Sequence, residues 1–249
     1  VTRRLSRKDV KARDGAVLFK TELTADATSR VWADPATLRP YDSPFGTDSS
    51  PHPTGTPDGF QPPFVFAPLI SVSNVPFSRN DPWLPPGAMV TTGNNVDAYV
   101  DAVAPDGFSP NTLDLRPAST SADTFDALFD VNFSPAANAA QRSAAATQLF
   151  YDVNYLHDWF YDYGFDEVAG NGQTTNYGRG GREGDFIRAE AQDSAGRNNA
   201  NMSTPADGAP PRMQMYIFDG VAQLTVTAPA AVAGRVEANT ASFGAPSFN

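Results

Sequence analysis

The sequence predicts an α+β fold, β-rich with one long amphipathic helix and long Pro/Gly-rich loops. Three observations predict it. A sustained helical pattern runs from Ser134 to Phe165. Several short segments alternate apolar and polar residues, as half-buried strands do. Finally, 22 Pro and 19 Gly in 249 residues call for many turns between those elements.

Taken in order, "VLFKTEL" from Val17 to Leu23 alternates after an Asp14-Gly15 turn and predicts a strand. From Asp34 to Pro86 the chain is dense in Pro, which donates nothing to a ladder and disfavours helix before it, so irregular coil with short extended pieces such as "FVFAPLISV" is expected. "NNVDAYVDAV" predicts a strand with Val96, Ala98, Val100 and Ala102 on one face. For the helix, Ser134 is the expected N-cap, Pro135 the first helical residue and Gly164 the stop; the pattern is firmest from Ala144 to Tyr163. Leu149, Val153, Leu156, Phe160 and Tyr163 recur at spacings of four and three, which predicts a core-facing stripe. A Gly- and Asn-rich loop follows. "RMQMYIF" then alternates with Met213, Met215 and Ile217 on one side, and the Val-, Thr- and Ala-rich tail suits an edge strand.

Composition excludes several functions. A net charge of −10 with 18 Lys and Arg argues against nucleic-acid and anionic-membrane partners, which are bound through basic patches. No apolar run approaches the roughly 20 residues of a membrane helix. The opening "VTRRLSRKDV" is basic without an apolar stretch behind it, so it does not read as an intact signal peptide. With no cysteine there are no disulfides and no thiolate chemistry.

Candidate chemistry is equally bounded. His52 and His157 are the two histidines. His52 lies in a Pro-flanked loop and reads as an exposed structural residue; His157, one step off the helix stripe, reads as a buried or half-buried residue bonded to a neighbouring loop. A helical zinc site of the form H-E-x-x-H needs two His four residues apart, and this chain has no such pair. No G-x-S-x-G elbow is present, and "GRGGREGD" lacks the Lys-Ser/Thr ending of a phosphate loop. Carboxylates are plentiful: Asp152, Asp158, Asp162, Asp166 and Glu167 around the helix, and Asp185, Asp193 and Asp207 in expected loops. A pair of them suits glycosidase work or calcium, but spacing selects no pair and solvated surface charge is the default.

The run from Thr147 to Phe218 resembles the first half of the catalytic domain of fungalysin-type zinc metallopeptidases, secreted relatives of thermolysin. The likeness rests on "LFYDVNYLHDWFYDYGFDE", "AGNGQ", "AQDSAGRNNANMSTPADG" and "RMQMY" in that order, with "TTGNNVDAYVD" upstream. It implies a thermolysin-like N-terminal lobe over residues 31–220. Residues 1–30 resemble the end of the family's inhibitory propeptide, or an N-terminal strand, and residues 221–249 a β-rich lead-in to an inserted domain or to the zinc-helix segment. In the family, zinc is held by the two His of H-E-x-x-H and a downstream Glu, with the Glu inside the motif as general base. The resemblance thus implies zinc ligands outside this chain, no catalytic residue within it, and a C-terminal segment or second chain carrying the zinc helix as partner. Calcium is a further candidate ion.

The resemblance also marks a substrate site. In the thermolysin-like arrangement an Asn-Asn-Ala segment at the edge strand faces the bound peptide, and the matching residues here are Asn198, Asn199 and Ala200. Short polar Asn side chains offer a donor and an acceptor without blocking a groove. Without the resemblance, those asparagines read equally well as turn formers. The implied function is the substrate-cleft half of a secreted zinc metalloendopeptidase, the isolated chain being inactive. The alternatives are a non-catalytic extracellular peptide-binding module and a structural extracellular protein with calcium-stabilised loops.

Overall fold

The computed structural model describes residues 27–41, 65–72, 78–130 and 133–218, residue 229, and the strand segments β1 (Ser6–Val10), β2 (Val17–Glu22), β10 (Ala222–Val226) and β11 (Gly234–Ala238). Between β2 and β10 lie β3 (Ala27–Arg30), β4 (Leu69–Val72), β5 (Val96–Val100), β6 (Thr124–Phe125), the helix α1 (Ala139–Tyr161), β7 (Ile187–Arg197), β8 (Ala200–Ser203) and β9 (Arg212–Ile217). The architecture is α+β, with one helix and several sheets among the described residues. β1 pairs with β2, and β10 with β11, both antiparallel. A three-stranded sheet has the order β4-β3-β6, and a four-stranded sheet the order β5-β7-β9-β8. In the larger sheet β5, β7 and β9 run parallel, and β8 closes one edge antiparallel to β9.

Residue period explains how this sheet is used. Val96, Ala98 and Val100 of β5 share a face with Ala189 and Ala191 of β7, their register partners being Ile187–Ala191, and that face meets α1. Ala146 of α1 is fully buried against Val100 and Ala191, where small side chains let helix and sheet approach. Phe150, Tyr151 and Val153 extend the core to Val31, Ile70, Trp83 and Phe125. Three hydrogen bonds tie the helix to the segment after β3: Trp32 N donates to Gln148 Oε1 (2.7 Å), Gln148 Nε2 donates to Trp32 O (3.4 Å), and the Tyr151 hydroxyl donates to Leu38 O (2.7 Å).

The helix differs from expectation at its start and in its buried face. Its N-cap is Asn138, whose side chain accepts from Gln141 N, while Ser134 only closes a turn through Ala137 N. An Asn carbonyl satisfies an orphan first-turn N–H. Gln141 is itself clamped, accepting from Asp130 N (2.6 Å) and donating to Asp130 O (2.7 Å). The stop is as expected: Gly164 sits at φ +95° and Phe165 N donates back to Phe160 O.

Val153 is buried and Leu149 packs against the core, but Leu156, Phe160 and Tyr163 are exposed. The buried face instead carries Thr147, Phe150, Tyr151, Asn154, His157, Asp158 and Tyr161. Three of its polar groups have partners there: Trp83 Nε1 donates to Asp158 Oδ2 (2.7 Å), Asn154 Nδ2 to Phe150 O (2.8 Å) and the Tyr161 hydroxyl to Glu167 Oε2 (2.7 Å), whereas Thr147 Oγ1, Asn154 Oδ1 and His157 Nε2 have no hydrogen bond. Outside, Trp159 packs on Phe160 and on Tyr163, with ring centroids 4.9 and 4.4 Å apart.

The loop between α1 and β7 is pinned from two sides. Asn94 Nδ2 donates to Thr175 O and its Oδ1 accepts from Thr175 N, so the Gly-Asn-Asn segment holds the loop's middle. Gly93 fits because a Cβ there would stand 1.9 Å from Trp83 O. Arg179 bridges Glu167 (2.5 Å) and Asp81. Burial works against the charge on Glu167, but the Tyr161 hydroxyl, a backbone N–H and Arg179 hold its carboxyl below the ordinary range.

Candidate functional site

The four-stranded sheet presents two features that could carry function: its edge at β8, and the face turned away from α1. At the edge, β7 ends at Arg197 and the chain reverses through Asn198 at φ +57° and Asn199 before entering β8 at Ala200. Asn198 N donates to Ile217 O and Asn199 O accepts from Tyr216 N, so the reversal stays tied to β9. Asn198, Asn199, Ala200 and all of β8 are exposed. The three sequence-predicted residues therefore lie together at the mouth of an edge strand. The positive φ of Asn198 also fits the turn-forming reading, since Asn tolerates that conformation better than most residues.

Behind the edge, the sheet face opposite α1 is polar. Asp97 and Tyr99 of β5, Arg188 and Glu190 of β7, Arg212, Gln214 and Tyr216 of β9, and Asn201 of β8 share it by register. The segment after β5 folds over this face: Arg116 donates to both Asp97 oxygens (2.8 Å each), and its guanidinium lies 3.9 Å from the Phe108 ring centroid. Met213 does pack toward the core on the apolar side, yet the most buried residue of β9 is Gln214 on the polar side.

β7 is bulged within this face. Residues 190 and 193 of a regular strand would point to opposite sides, but Gln192 adopts φ +51° and the register shifts so that Asp193 opposes Tyr216. Asp193 thus joins Glu190 on the polar side. Asp101, just past β5, and Asp106 of the covering loop complete a group in which one oxygen from each of Asp101, Asp106, Glu190 and Asp193 lies within 4.8 Å of the others. Burial, together with the charges of Asp193, Asp114 and Asp106, pushes the Asp101 carboxyl up to about 6, against a hydrogen bond from Gly107 N. Glu190 is pushed up to about 7, chiefly by burial and then by Asp106 and Asp101, against the Tyr99 hydroxyl that donates to it (2.6 Å).

Gln214 joins the two features. Its Nε2 donates to Asp193 Oδ2 (2.6 Å) and Asp106 Oδ1 (3.0 Å), and its Oε1 accepts from Asn201 Nδ2 (2.8 Å) on the edge strand.

The expected surface carboxylates divide accordingly. Asp193 is buried on β7 rather than in a loop, Asp158 and Glu167 are buried with partners, and Asp185 accepts from Gln173 N and Gly208 N inside the long loop. Asp162 and Asp207 are exposed, as expected. Asp101, Asp106 and Glu190 were not singled out in the sequence. The available signal was the polar half of the β5 alternation, Asp97-x-Tyr99-x-Asp101, read as an inward face.

A model of the fungalysin metallopeptidase family matches residues 70–233. The chain belongs to the fungalysin metallopeptidase family. Its relatives include the extracellular metalloproteinase MEP of Fusarium vanettenii, 40% identical over 141 residues that cover 55% of this chain and 21% of that protein. Extracellular metalloproteinase 5 of Arthroderma otae is 42% identical over 128 residues, and extracellular metalloproteinase 10 of Coccidioides posadasii 41% identical over 137; each match covers 51% of this chain and 19% of the relative. The matches therefore span about a fifth of those relatives' length. Membership in a metallopeptidase family implies a metal.

The described residues do not fit the catalytic zinc of such a fungalysin. His157 is buried with Nδ1 3.1 Å from Asp158 Oδ1 of its own helix, not a neighbouring loop, and no second imidazole faces it among the described residues. His52 lies outside the described residues. The Asp101–Asp193 group is all oxygen, a donor set for hard cations rather than for a catalytic zinc. Among the described residues no helix is long and apolar enough to cross a membrane.

Proposed function

We propose that this chain is the substrate-cleft half of a secreted zinc metalloendopeptidase that hydrolyses internal peptide bonds, with the zinc ligands carried outside these 249 residues. The observation that carries the proposal is the exposed edge strand β8, entered through Asn198 and Asn199 and backed by β9. An edge strand adds an extended peptide through main-chain hydrogen bonds, and its specificity for backbone rather than side chains suits an enzyme that cuts within many sequences. Asn199 supplies a positioning donor and acceptor, and Ala200 keeps the groove open. The extracellular metalloproteinase names of the relatives support the same reading, including secretion. The lobe is residues 31–220, preceded by a propeptide tail or N-terminal strand over 1–30 and followed over 221–249 by the lead-in to an inserted domain or to the segment that brings the metal.

Casein cleavage by the 249-residue chain, and by a longer product that includes an H-E-x-x-H segment, tests this. The chain by itself is expected to be inactive and the longer product to be active and chelator-sensitive. Chelator-sensitive cleavage by the isolated chain would contradict the placement of the zinc ligands. A longer product that binds peptides without cutting them would favour the non-catalytic module.

A further inference from the structure

We propose that Asp101, Asp106, Glu190 and Asp193 bind a calcium ion behind the edge strand. The four carboxylates converge to within 4.8 Å although two come from a strand, one from a strand end and one from a covering loop. Glu190 and Asp193 share a face only because β7 is bulged at Gln192, a distortion that sets two negative groups side by side instead of on opposite faces.

The donors around the group run out before its oxygens do. Gly107 N serves Asp101 Oδ2, the Tyr99 hydroxyl serves Glu190 Oε1, Ala195 N serves Asp193 Oδ1 and Gln214 Nε2 serves Asp193 Oδ2 and Asp106 Oδ1. Arg212 donates to Asp106 Oδ2 and offsets one of the four charges. Two oxygens are left without a hydrogen bond, Asp101 Oδ1 and Glu190 Oε2, on residues that are 1% and 0% exposed; Arg212 Nε is 3.7 Å from the latter. Buried carboxyl oxygens with no donor beside them, in a group of four acids offset by one Arg, call for a cation. Several carboxylate oxygens at short range, with Asp101 Oδ1 free, Glu190 Oε2 held only by the long Arg212 contact and the exposed Asp106 open to solvent, match the oxygen-rich, irregular shell that calcium accepts and magnesium does not.

The proposal stands on these carboxylates alone and does not need the edge to take a peptide, so its test reads metal binding to the chain and not proteolysis. Terbium is the probe, with Tyr99, bonded to Glu190, as the sensitiser. The wild-type chain should show saturable tyrosine-excited terbium emission that calcium displaces. Calcium at about ten times its dissociation constant, of order 10⁻⁴–10⁻³ M as in extracellular modules, should raise the thermal midpoint. Asp193→Asn and Glu190→Gln should each weaken terbium binding tenfold or more, whereas Asp162→Asn, on the exposed helix end, should leave it unchanged. Absence of saturable emission, or a midpoint indifferent to calcium, would overturn the proposal in the wild-type chain without any substitution. Unchanged affinity in both carboxamide variants would overturn it as well.

Discussion

The two faces of the four-stranded sheet are built from the same strands, residue by residue, and do opposite work. Toward α1 they offer Val96, Ala98, Val100, Ala189 and Ala191, and the contacts are non-directional packing. Away from α1 they offer Asp97, Tyr99, Glu190 and Gln214, equally buried yet held by directed hydrogen bonds and charge pairs. Burial in this molecule thus marks two things. On one face it measures how tightly the fold closes, and on the other how strongly charged groups are positioned beneath an exposed edge.

Phe150→Ala should produce the largest loss of stability, about 3–5 kcal/mol, because the ring sits in the core on the helix side of the sheet. Phe160→Ala, ten residues on but 46% exposed, should cost less than about 1 kcal/mol by denaturant midpoint. A similar loss at both would mean that the buried face of α1 is misassigned.

On the polar face, Arg116→Ala removes both bonds to buried Asp97. We expect about 3 kcal/mol, the low end for breaking a buried pair, since Arg116 keeps some contact with solvent. A loss near zero would show that the charge on Asp97 is satisfied without its partner.

Adjacent residues of β9 sharpen the contrast further. Gln214→Leu strands the oxygens of Asp106 and Asp193 and should cost about 1–3 kcal/mol, whereas Met213→Leu on the other face should cost less than about 1.5 kcal/mol. Equal effects would erase the distinction between the faces.

Legibility followed the same division. β2, β4 and β5, the Gly164 stop and the α+β class could be read from period and turn chemistry, because those depend on neighbours in sequence. The helix face could not, since a stripe of Leu156, Phe160 and Tyr163 outscores one containing Asn154, His157 and Asp158 until the partners of the latter are known. The Asn138 cap was hidden behind an equally plausible Ser134-Pro135 start. Asn198, Asn199 and Ala200 are candidates through family likeness, and the structure places them at an exposed edge. The acidic group was invisible in sequence, because a bulge at Gln192 and a loop bearing Asp106 bring together residues up to 92 positions apart, from Asp101 to Asp193.

We propose that the edge entered at Asn199 holds the backbone of a peptide substrate. Its most direct test is Asn199→Ala in the longer, zinc-bearing product, followed by kcat/KM on several peptides of different side-chain sequence together with the thermal midpoint. A roughly tenfold to hundredfold fall in kcat/KM, similar across the peptides and with the midpoint unchanged, is expected for the loss of one or two positioning hydrogen bonds from an exposed residue. Full efficiency at a wild-type midpoint would contradict it, and a large drop in the midpoint would assign Asn199 to the turn instead.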